Sequence, residues 1–311
     1  MPKYVYICSA GHSGSTLLDM LLGSHSRVAS LGEIDQLSKN LALNTECSCS
    51  VPIRSCPLWS EVIARVGATL DIDILANPYA LHMGYPKASR VIDHTHQTRL
   101  YLLRRELILA LSYLCLRLPL PHGYSLLSPV ARAIDNNVRV FDAVRTALNC
   151  DMIVDSSKSY LKAVALYQRY PADVRVLLLT RDGRGVLASN LKRGMARAKA
   201  IREWRHQYQR ALPLLNAHVD PKHLLQVRYE DLSSATSETL QRICAFVGLA
   251  FENQMLNFRA KTHHIANGND IRLASSSEIR SDQQWRVDLT SADLAYFGQR
   301  GGALNHRLGY A

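Results

Sequence analysis

The sequence predicts an α/β fold of three layers, in which helices flank a mostly parallel central sheet. Three stretches support this prediction, because each combines an apolar strand, a turn and a helix: residues 4–24, 151–171 and 174–194. A fourth strand near residues 222–228 opens into a helix that runs to about residue 246. Strands that alternate with helices in this way pair in parallel, and helices cover both faces of the sheet.

The elements follow one another with recognisable boundaries. The run YVYICS predicts a strand over residues 4–9, and leucines with helical spacing predict a helix from about Ser15 to Ser24. The later run VRVLLLT is uniformly apolar, which is typical of a strand covered on both faces. Short strand and helix signals also occur around RVASLGEIDQLSK.

The stretch 44–150 has a different character. It begins with cysteines and prolines and continues with helical periodicity over 98–118 and 128–148. We predict a single domain over residues 1–311, in which 44–150 is a mostly helical insertion that caps the mouth of the sheet. Ligands of such sheets bind outside the carboxyl ends of the strands, next to this insertion.

Composition restricts the class of protein. The chain has 311 residues, of which 47% are hydrophobic, and a formal net charge of +11 with a pI near 9.4. This excess suits an anionic ligand, nucleic acid or an acidic membrane surface. The start of the chain shows no signal-peptide pattern, and the apolar run LILALSYLCLRL is too short to cross a bilayer. We therefore expect a cytoplasmic protein without a membrane anchor or a disulfide framework.

The loop after the first strand suits a compact anion. Gly11, Ser13 and Gly14 free the backbone, and Ser15 and Thr16 follow at the start of the predicted helix. Exposed N–H groups and the helix dipole favour a phosphate-like group there. A Walker loop has a lysine where this chain has Ser15, so the loop lacks the group that reaches a γ-phosphate. An ordinary Gly/Ser turn is the alternative.

A second anion site is predicted after the run VRVLLLT. Arg181 directly follows this strand, where a guanidinium can bind a phosphate through two parallel hydrogen bonds. Ser189 lies two turns into the next helix and adds a hydroxyl. A surface salt bridge is the common alternative for a lone arginine at such a position.

Several segments, taken in chain order, resemble the sulfotransferases that use 3′-phosphoadenosine-5′-phosphosulfate (PAPS). The resemblance covers residues 4–35 and 151–310 and leaves out the middle of the chain. The segments that carry it are HSGSTLL, TRDGRGVLASN, VRYEDL, HHIANGNDIR with SDQQWRVDLT, and the closing LGY.

The resemblance implies how the nucleotide is bound. The first loop would hold the 5′-phosphosulfate, Arg181 and Ser189 the 3′-phosphate, and Tyr229 would lie near the adenine. The implied nucleotide contacts are Gly11, His12, Ser13, Gly14, Ser15, Thr16, Arg181, Ser189, Tyr229, Gly268, Asn269 and Arg272. The resemblance also implies that Trp285 is a structural anchor. This chain has His12 where the family usually has lysine or arginine, and Gly183 where most members have proline.

Three catalytic residues are implied by the resemblance. Glu33 matches a Gly-Glu pair of one branch of the family and would be the general base, whereas a surface or capping glutamate is the alternative. Lys158 matches the family's [DE]-K-[ST] lysine and would contact the sulfonate or the bridging oxygen. His12 would act either as an imidazolium or as a neutral donor beside Lys158.

A metal site is weighed on the spacing of Cys47, Cys49 and Cys56. The C-x-C-x₆-C pattern lacks a C-x₂-C pair and has no adjacent fourth ligand, so free or buried thiols are favoured over zinc. We therefore predict that no metal is required. His263 and His264 lie beside the predicted nucleotide loop, where they are candidates for lining the acceptor pocket.

The sequence thus predicts an enzyme that moves a sulfonate group from PAPS to a hydroxyl or amine of a small-molecule acceptor bound by the insertion, releasing PAP. One alternative is a P-loop kinase. Another is a basic nucleic-acid-binding protein, since residues 191–210 form a basic helical run. No nucleic-acid motif supports that alternative, so no nucleic-acid partner is predicted. Acceptor identity and homo-oligomerisation stay open.

Overall fold

The computed structural model describes residues 1–83, 128–274 and 283–311, with a few single positions between these ranges. The predicted helix over 98–118 lies mostly outside the described residues. The predicted helix over 128–148 is present as Ser128–Leu148. The role of 44–150 as an acceptor-binding insertion stays a prediction.

The centre of the fold is a parallel sheet. The strands of the described chain are β1 (Tyr4–Ser9), β2 (Val28–Ser30), β3 (Met152–Lys158), β4 (Val174–Thr180) and β5 (Leu224–Arg228). Their order in the sheet is β2-β3-β1-β4-β5, and every pair of neighbours runs parallel. The predicted α/β class with a mostly parallel sheet is confirmed.

Helices cover both faces of this sheet. In the described ranges they are α1 (Ser15–Gly23), α2 (Leu37–Leu43), α3 (Pro57–Leu70), α4 (Ser128–Leu148), α5 (Tyr160–Arg169), α6 (Gly183–Leu191), α7 (Arg197–His218), α8 (Tyr229–Ser234), α9 (Thr236–Val247), α10 (Trp285–Asp288) and α11 (Ser291–Arg307). None of these helices combines the length and the apolar content that a bilayer span requires.

Two separate apolar cores show why the molecule has three layers. Strand residues alternate between the faces, so Tyr6 enters the larger core with Phe141 and Trp204. Ile7 enters the smaller core on the other face with Leu18 of α1. Each face of the sheet is therefore buried under its own helices, as parallel sheets require.

The carboxyl end of β3 is fixed by a buried ion network. The ammonium of Lys162, on α5, is completely buried and pairs with Asp35 and, at 2.8 Å, with Asp155 on β3. The side-chain oxygen of Asn137 on α4 accepts a further bond of 2.7 Å from it. Burial lowers the pKa of Lys162, but the Asp155 and Asp35 carboxylates outweigh it and raise that pKa above its ordinary value. The network ties both neighbouring helices to the sheet just below the strand ends.

Candidate functional site

A cavity of about 460 Å³ opens at the carboxyl ends of the central strands. Of the predicted site residues, those that line it are Gly11, His12, Gly14, Ser15, Thr16, Glu33, Lys158, Arg181, Ser189, Tyr229, Gly268 and Asn269. Ser13 and Arg272 are outside the lining. The lining also includes Arg193, from the basic run over residues 191–210, which was not among the predicted site residues. Both predicted anion sites therefore face one space, whose volume is typical of ligand pockets.

The first loop is held in place from beneath. The hydroxyl of Tyr208 donates to the carbonyl oxygen of Leu179 at 2.9 Å, accepts from the N–H of Ala10 at 3.2 Å and lies 3.3 Å from Oγ of Ser13. Ser13 is fully buried, so its side chain supports the loop from behind the cavity. Gly14 has φ of +85°, and a Cβ there would lie 2.3 Å from the Tyr229 ring. Both facts require glycine at this position.

Arg181 connects the loop to the second anion site. Its Nη1 donates to the carbonyl oxygen of His12 at 2.6 Å, and its guanidinium lies 4.5 Å from the centroid of the Tyr229 ring. Only 7% of Arg181 is exposed, so the low polarity around it strengthens any contact with an anion. A plain surface salt bridge does not describe this arginine.

Arg193 adds a second guanidinium beside the predicted serine. Its Nη1 donates to Oγ of Ser189 at 3.1 Å across one helical turn. Arg193 was not predicted as a site residue, because it lies in a strongly basic run in which one arginine resembles its neighbours. Arg193 follows Ser189 by four residues, and helical geometry places side chains at this spacing next to each other, so the spacing could have identified it.

The electrostatics of the cavity favour an uncharged His12. Burial lowers its pKa below the ordinary value of 6.5, and the cations of Arg193, Lys158 and Arg181 lower it further, against the opposing effect of Glu33. Of the two predicted roles, the neutral donor is therefore the form present at pH 7 in the ligand-free chain. His12 also has φ of +59°, a conformation that non-glycine residues rarely adopt.

The two predicted catalytic side chains form an ion pair. Nζ of Lys158 lies 2.5 Å from Oε1 of Glu33, and each side chain is about one-quarter exposed, at 24% and 22%. Lys158 has φ of +72° at the end of β3, so it, like His12, has a strained backbone on the cavity wall. Strain of this kind is concentrated at functional sites.

Glycine at position 32 allows the chain before Glu33 to approach the late loop, residues 263–273. Gly32 has φ of +71°, and a Cβ there would lie 2.1 Å from the carbonyl oxygen of Asn267. The next N–H, that of Glu33, donates to the same oxygen at 2.9 Å. The N–H of Gly32 donates to the buried carboxyl of Asp19 at 3.2 Å. Glu33 is thus positioned by backbone contacts on two sides.

The late loop packs directly on the first helix. The N–H of Asn269 donates to Oγ1 of Thr16 at 3.1 Å. Arg272, which we predict to contact the nucleotide, donates to the carbonyl oxygen of Glu46 at 2.9 Å. Its guanidinium therefore joins the late loop to the segment that begins the insertion.

Other residues singled out in the sequence have structural partners. Arg184 pairs with Asp182 at 2.6 Å and lies over the ring of Trp285 at 4.3 Å, so Trp285 packs as an anchor for α6. His263 is buried, with Nε2 2.7 Å from the carbonyl oxygen of Phe258. His264 places Nδ1 3.2 Å from Sγ of Cys56. Neither histidine lines the cavity.

The chain matches a known family over most of its centre. A family model described as "Sulfotransferase family" matches residues 82–253, which is more than half of the chain. The matched segment includes Lys158, Arg181 and Ser189. No curated protein sequence matches the chain significantly.

Solved structures share the fold at low sequence identity. The "Sulfotransferase Domain from the Synechococcus PCC 7002 Olefin Synthase" is 18% identical with a TM-score of 0.56, over 100% of this chain and 95% of that one. The "Sulfotransferase Domain from the Curacin Biosynthetic Pathway" is 17% identical with a TM-score of 0.50, over 100% of this chain and 99% of that one. These similarities support the three-layer fold.

Proposed function

We propose, from the premise that this chain belongs to the sulfotransferase family, that it transfers a sulfonate group from PAPS to a hydroxyl or amine of a small molecule and releases PAP. The observation that carries this proposal is the single cavity lined by both predicted anion sites. A nucleotide with phosphates at its 5′ and 3′ positions needs two such sites within its own length.

The first loop suits the 5′-phosphosulfate. Ser15 and Thr16 start a nine-residue helix whose positive end points into the cavity, where backbone N–H groups favour an anion. The wall is cationic there as well, through Lys158. No lysine follows Gly14, which fits a donor whose terminal group carries less charge than a γ-phosphate.

The second site suits the 3′-phosphate. Arg181 is buried and fixed by its bond to the His12 carbonyl oxygen, so one edge of its guanidinium is oriented in advance. Ser189 and Arg193, already bonded to each other, supply a hydroxyl and a second guanidinium. Tyr229, under Arg181, offers an aromatic surface for the adenine.

The ion pair of Glu33 and Lys158 suits the transfer step. PAPS, when bound, supplies the sulfonate group. Glu33, which pairs with the neighbouring ammonium, takes the proton of the acceptor's hydroxyl or amine. Lys158 and neutral His12 donate hydrogen bonds where negative charge develops on the leaving oxygen. The acceptor atom thereby loses its proton to Glu33 and forms a bond to sulfur, while the bond between sulfur and the leaving oxygen of PAP breaks.

The acceptor is proposed to be a small molecule. Two structural neighbours take their names from a curacin biosynthetic pathway and an olefin synthase. We propose that the acceptor of the present chain is likewise a small molecule from a biosynthetic pathway. A cytoplasmic location is proposed with it.

Thermal unfolding with nucleotides tests the donor. A ligand that binds the native state raises the melting temperature according to its concentration over Kd. We expect PAP to stabilise the chain strongly and ATP with magnesium to do so weakly. Release of PAP from PAPS in the presence of candidate phenols, alcohols and amines then measures transfer. Stabilisation by ATP–magnesium alone would support a kinase instead.

The Glu33→Gln variant tests the base. We expect kcat to fall by roughly 10²–10⁴-fold, because an amide cannot take the proton. The affinity for PAP should change little, because the amide keeps the size of the side chain and the backbone bond to Asn267. Glu61→Gln, in an exposed pair with Arg65, is the matched control and should leave kcat unchanged. A Glu33→Gln variant with wild-type kcat would show that Glu33 is not the general base.

A further inference from the structure

A group of four metal-ligating side chains lies outside the cavity. We call it the thiol–histidine cluster, and it consists of Cys47, Cys49, Cys56 and His264. One ligand atom from each residue lies within 4.8 Å of the other three. Cys47 and Cys56 are completely buried, whereas Cys49 is partly exposed. The fourth ligand, His264, lies 208 positions after Cys56, so the spacing of the cysteines did not reveal it.

The separations within the cluster suit one tetrahedral ion. Zinc–sulfur bonds of about 2.3 Å and zinc–nitrogen bonds of about 2.0 Å place ligand atoms roughly 3.5–3.8 Å apart. Sγ of Cys49 lies 3.6 Å from Sγ of Cys56, within this range. Sγ of Cys56 lies 3.2 Å from Nδ1 of His264, so these two ligands need only a small outward movement to bind the ion. A disulfide would need a sulfur–sulfur distance of about 2.05 Å.

We propose that the thiol–histidine cluster binds one zinc ion as a closed, four-coordinate structural site. Three thiolates and one imidazole form a Cys₃His ligand set, which is characteristic of structural zinc. Soft sulfur ligands disfavour magnesium and calcium, which prefer oxygen. Four protein ligands leave no position for substrate, so the ion takes no part in sulfonate transfer.

Neighbouring hydrogen bonds hold the ligands in position. The N–H of Cys47 donates to the carbonyl oxygen of Val51 at 2.9 Å and closes a tight turn around Cys49. Cys56 is the residue before the first turn of α3, where the helix dipole favours a thiolate. Nε1 of Trp59 donates to the carbonyl oxygen of His264 at 2.9 Å. Such outer contacts are what metal ligands in proteins typically have.

The site would join two segments that are distant in the chain. Oγ of Ser48 donates to the carbonyl oxygen of His263 at 2.7 Å and accepts from the N–H of Ile265 at 2.8 Å, so the segments already touch. Asn267, three residues after His264, accepts the bond from the Glu33 N–H. An ion at the cluster therefore stabilises the wall of the cavity that includes Gly268 and Asn269.

Metal content of the purified full-length chain tests the proposal. The chain is prepared with reductant and zinc, freed of any affinity tag, dialysed and analysed by plasma mass spectrometry. We expect about one zinc per chain. Cys56→Ser and His264→Ala should each lose most of it, whereas Cys150→Ser, at a partly buried cysteine outside the cluster, should retain it.

Cobalt substitution keeps the test informative if a variant fails to fold. Wild-type chain loaded with cobalt should show thiolate-to-cobalt charge transfer and the intense visible bands of a tetrahedral site. A zinc-free chain with all seven thiols titratable under denaturing conditions would overturn the proposal. A disulfide, seen as two fewer titratable thiols before reduction, would overturn it as well. PAP binding is measured separately on the same wild-type preparation, so failure here is distinguishable from failure of the proposed function.

Discussion

The two walls of the cavity are held in place by different forces. The sheet wall, which we define as residues 11–16 with Lys158, Arg181 and Ser189, stands on strand ends between two apolar cores. The loop wall is the late loop over residues 263–273, of which residues 268–271 line the cavity. It has one short 3₁₀ helix, Asp270–Leu273, and is held by side-chain and backbone bonds to distant segments. Damage to the sheet wall should therefore lower stability and binding together. Damage to the loop wall should mainly change binding.

Lys162→Met tests the support of the sheet wall and should have the largest effect on stability. Removing the ammonium leaves the Asp35 and Asp155 carboxylates buried without their cation. The free energy of unfolding should fall by about 3–5 kcal/mol, as measured by urea denaturation. Lys192→Met is the control, because its pair with Asp288 is exposed and should contribute under about 1 kcal/mol. An effect of Lys162→Met no larger than the control would contradict this account.

Arg181→Ala tests the sheet wall at the second anion site. Loss of a buried, oriented guanidinium should weaken PAP binding by about 2 kcal/mol or more, which is roughly 30-fold, as measured by calorimetry. Adenosine 5′-phosphate, without the 3′-phosphate, should be affected much less. Arg175→Ala, on the same strand but bonded to the Ala172 and Val174 carbonyl oxygens, is the matched control. Equal losses of affinity for both nucleotides would mean that the 3′-phosphate binds at another place than Arg181.

Arg272→Ala tests the loop wall by removing one hydrogen bond, the bond from Arg272 to the carbonyl oxygen of Glu46. If Arg272 acts by joining the loop wall to Glu46, the variant should weaken PAP binding only about three- to tenfold. Its melting temperature without ligand should stay close to that of the wild type. A loss as large as that of Arg181→Ala, dependent on a phosphate of the ligand, would support the direct nucleotide contact that the sequence predicts.

The sheet wall was far more predictable from sequence than the loop wall. Strand ends and helix starts follow from local patterns, so the positions of Gly14, Arg181 and Lys158 were inferable from short segments. The partners of the loop wall are set by contacts between residues more than 200 positions apart, such as Cys56 with His264 and Glu46 with Arg272. Arg193 was missed for another reason, because only its helical distance from Ser189 separates it from other basic residues.

The pH dependence of PAP binding tests how the cations around the first loop act on His12. Of the predicted effects, this one is expected to be the smallest. Burial and the cations of Arg193, Lys158 and Arg181 hold the pKa of His12 below 6.5 in the free chain. The anionic ligand should raise this pKa, so the bound state takes up a proton. Affinity should consequently gain from His12 as pH falls, by at most about tenfold per pH unit.

His12→Asn isolates this gain, because protonation of the ligand's own phosphates is common to both proteins and cancels in the ratio of their Kd values. We expect the Kd of the variant, divided by that of the wild type, to be larger near pH 6 than near pH 8. Calorimetry in buffers of different ionisation enthalpy should show proton uptake near pH 6 that exceeds the variant's. A ratio that is constant with pH would mean that His12 stays neutral with the ligand bound, and that Lys158 and Arg181 alone supply the positive charge of the sheet wall.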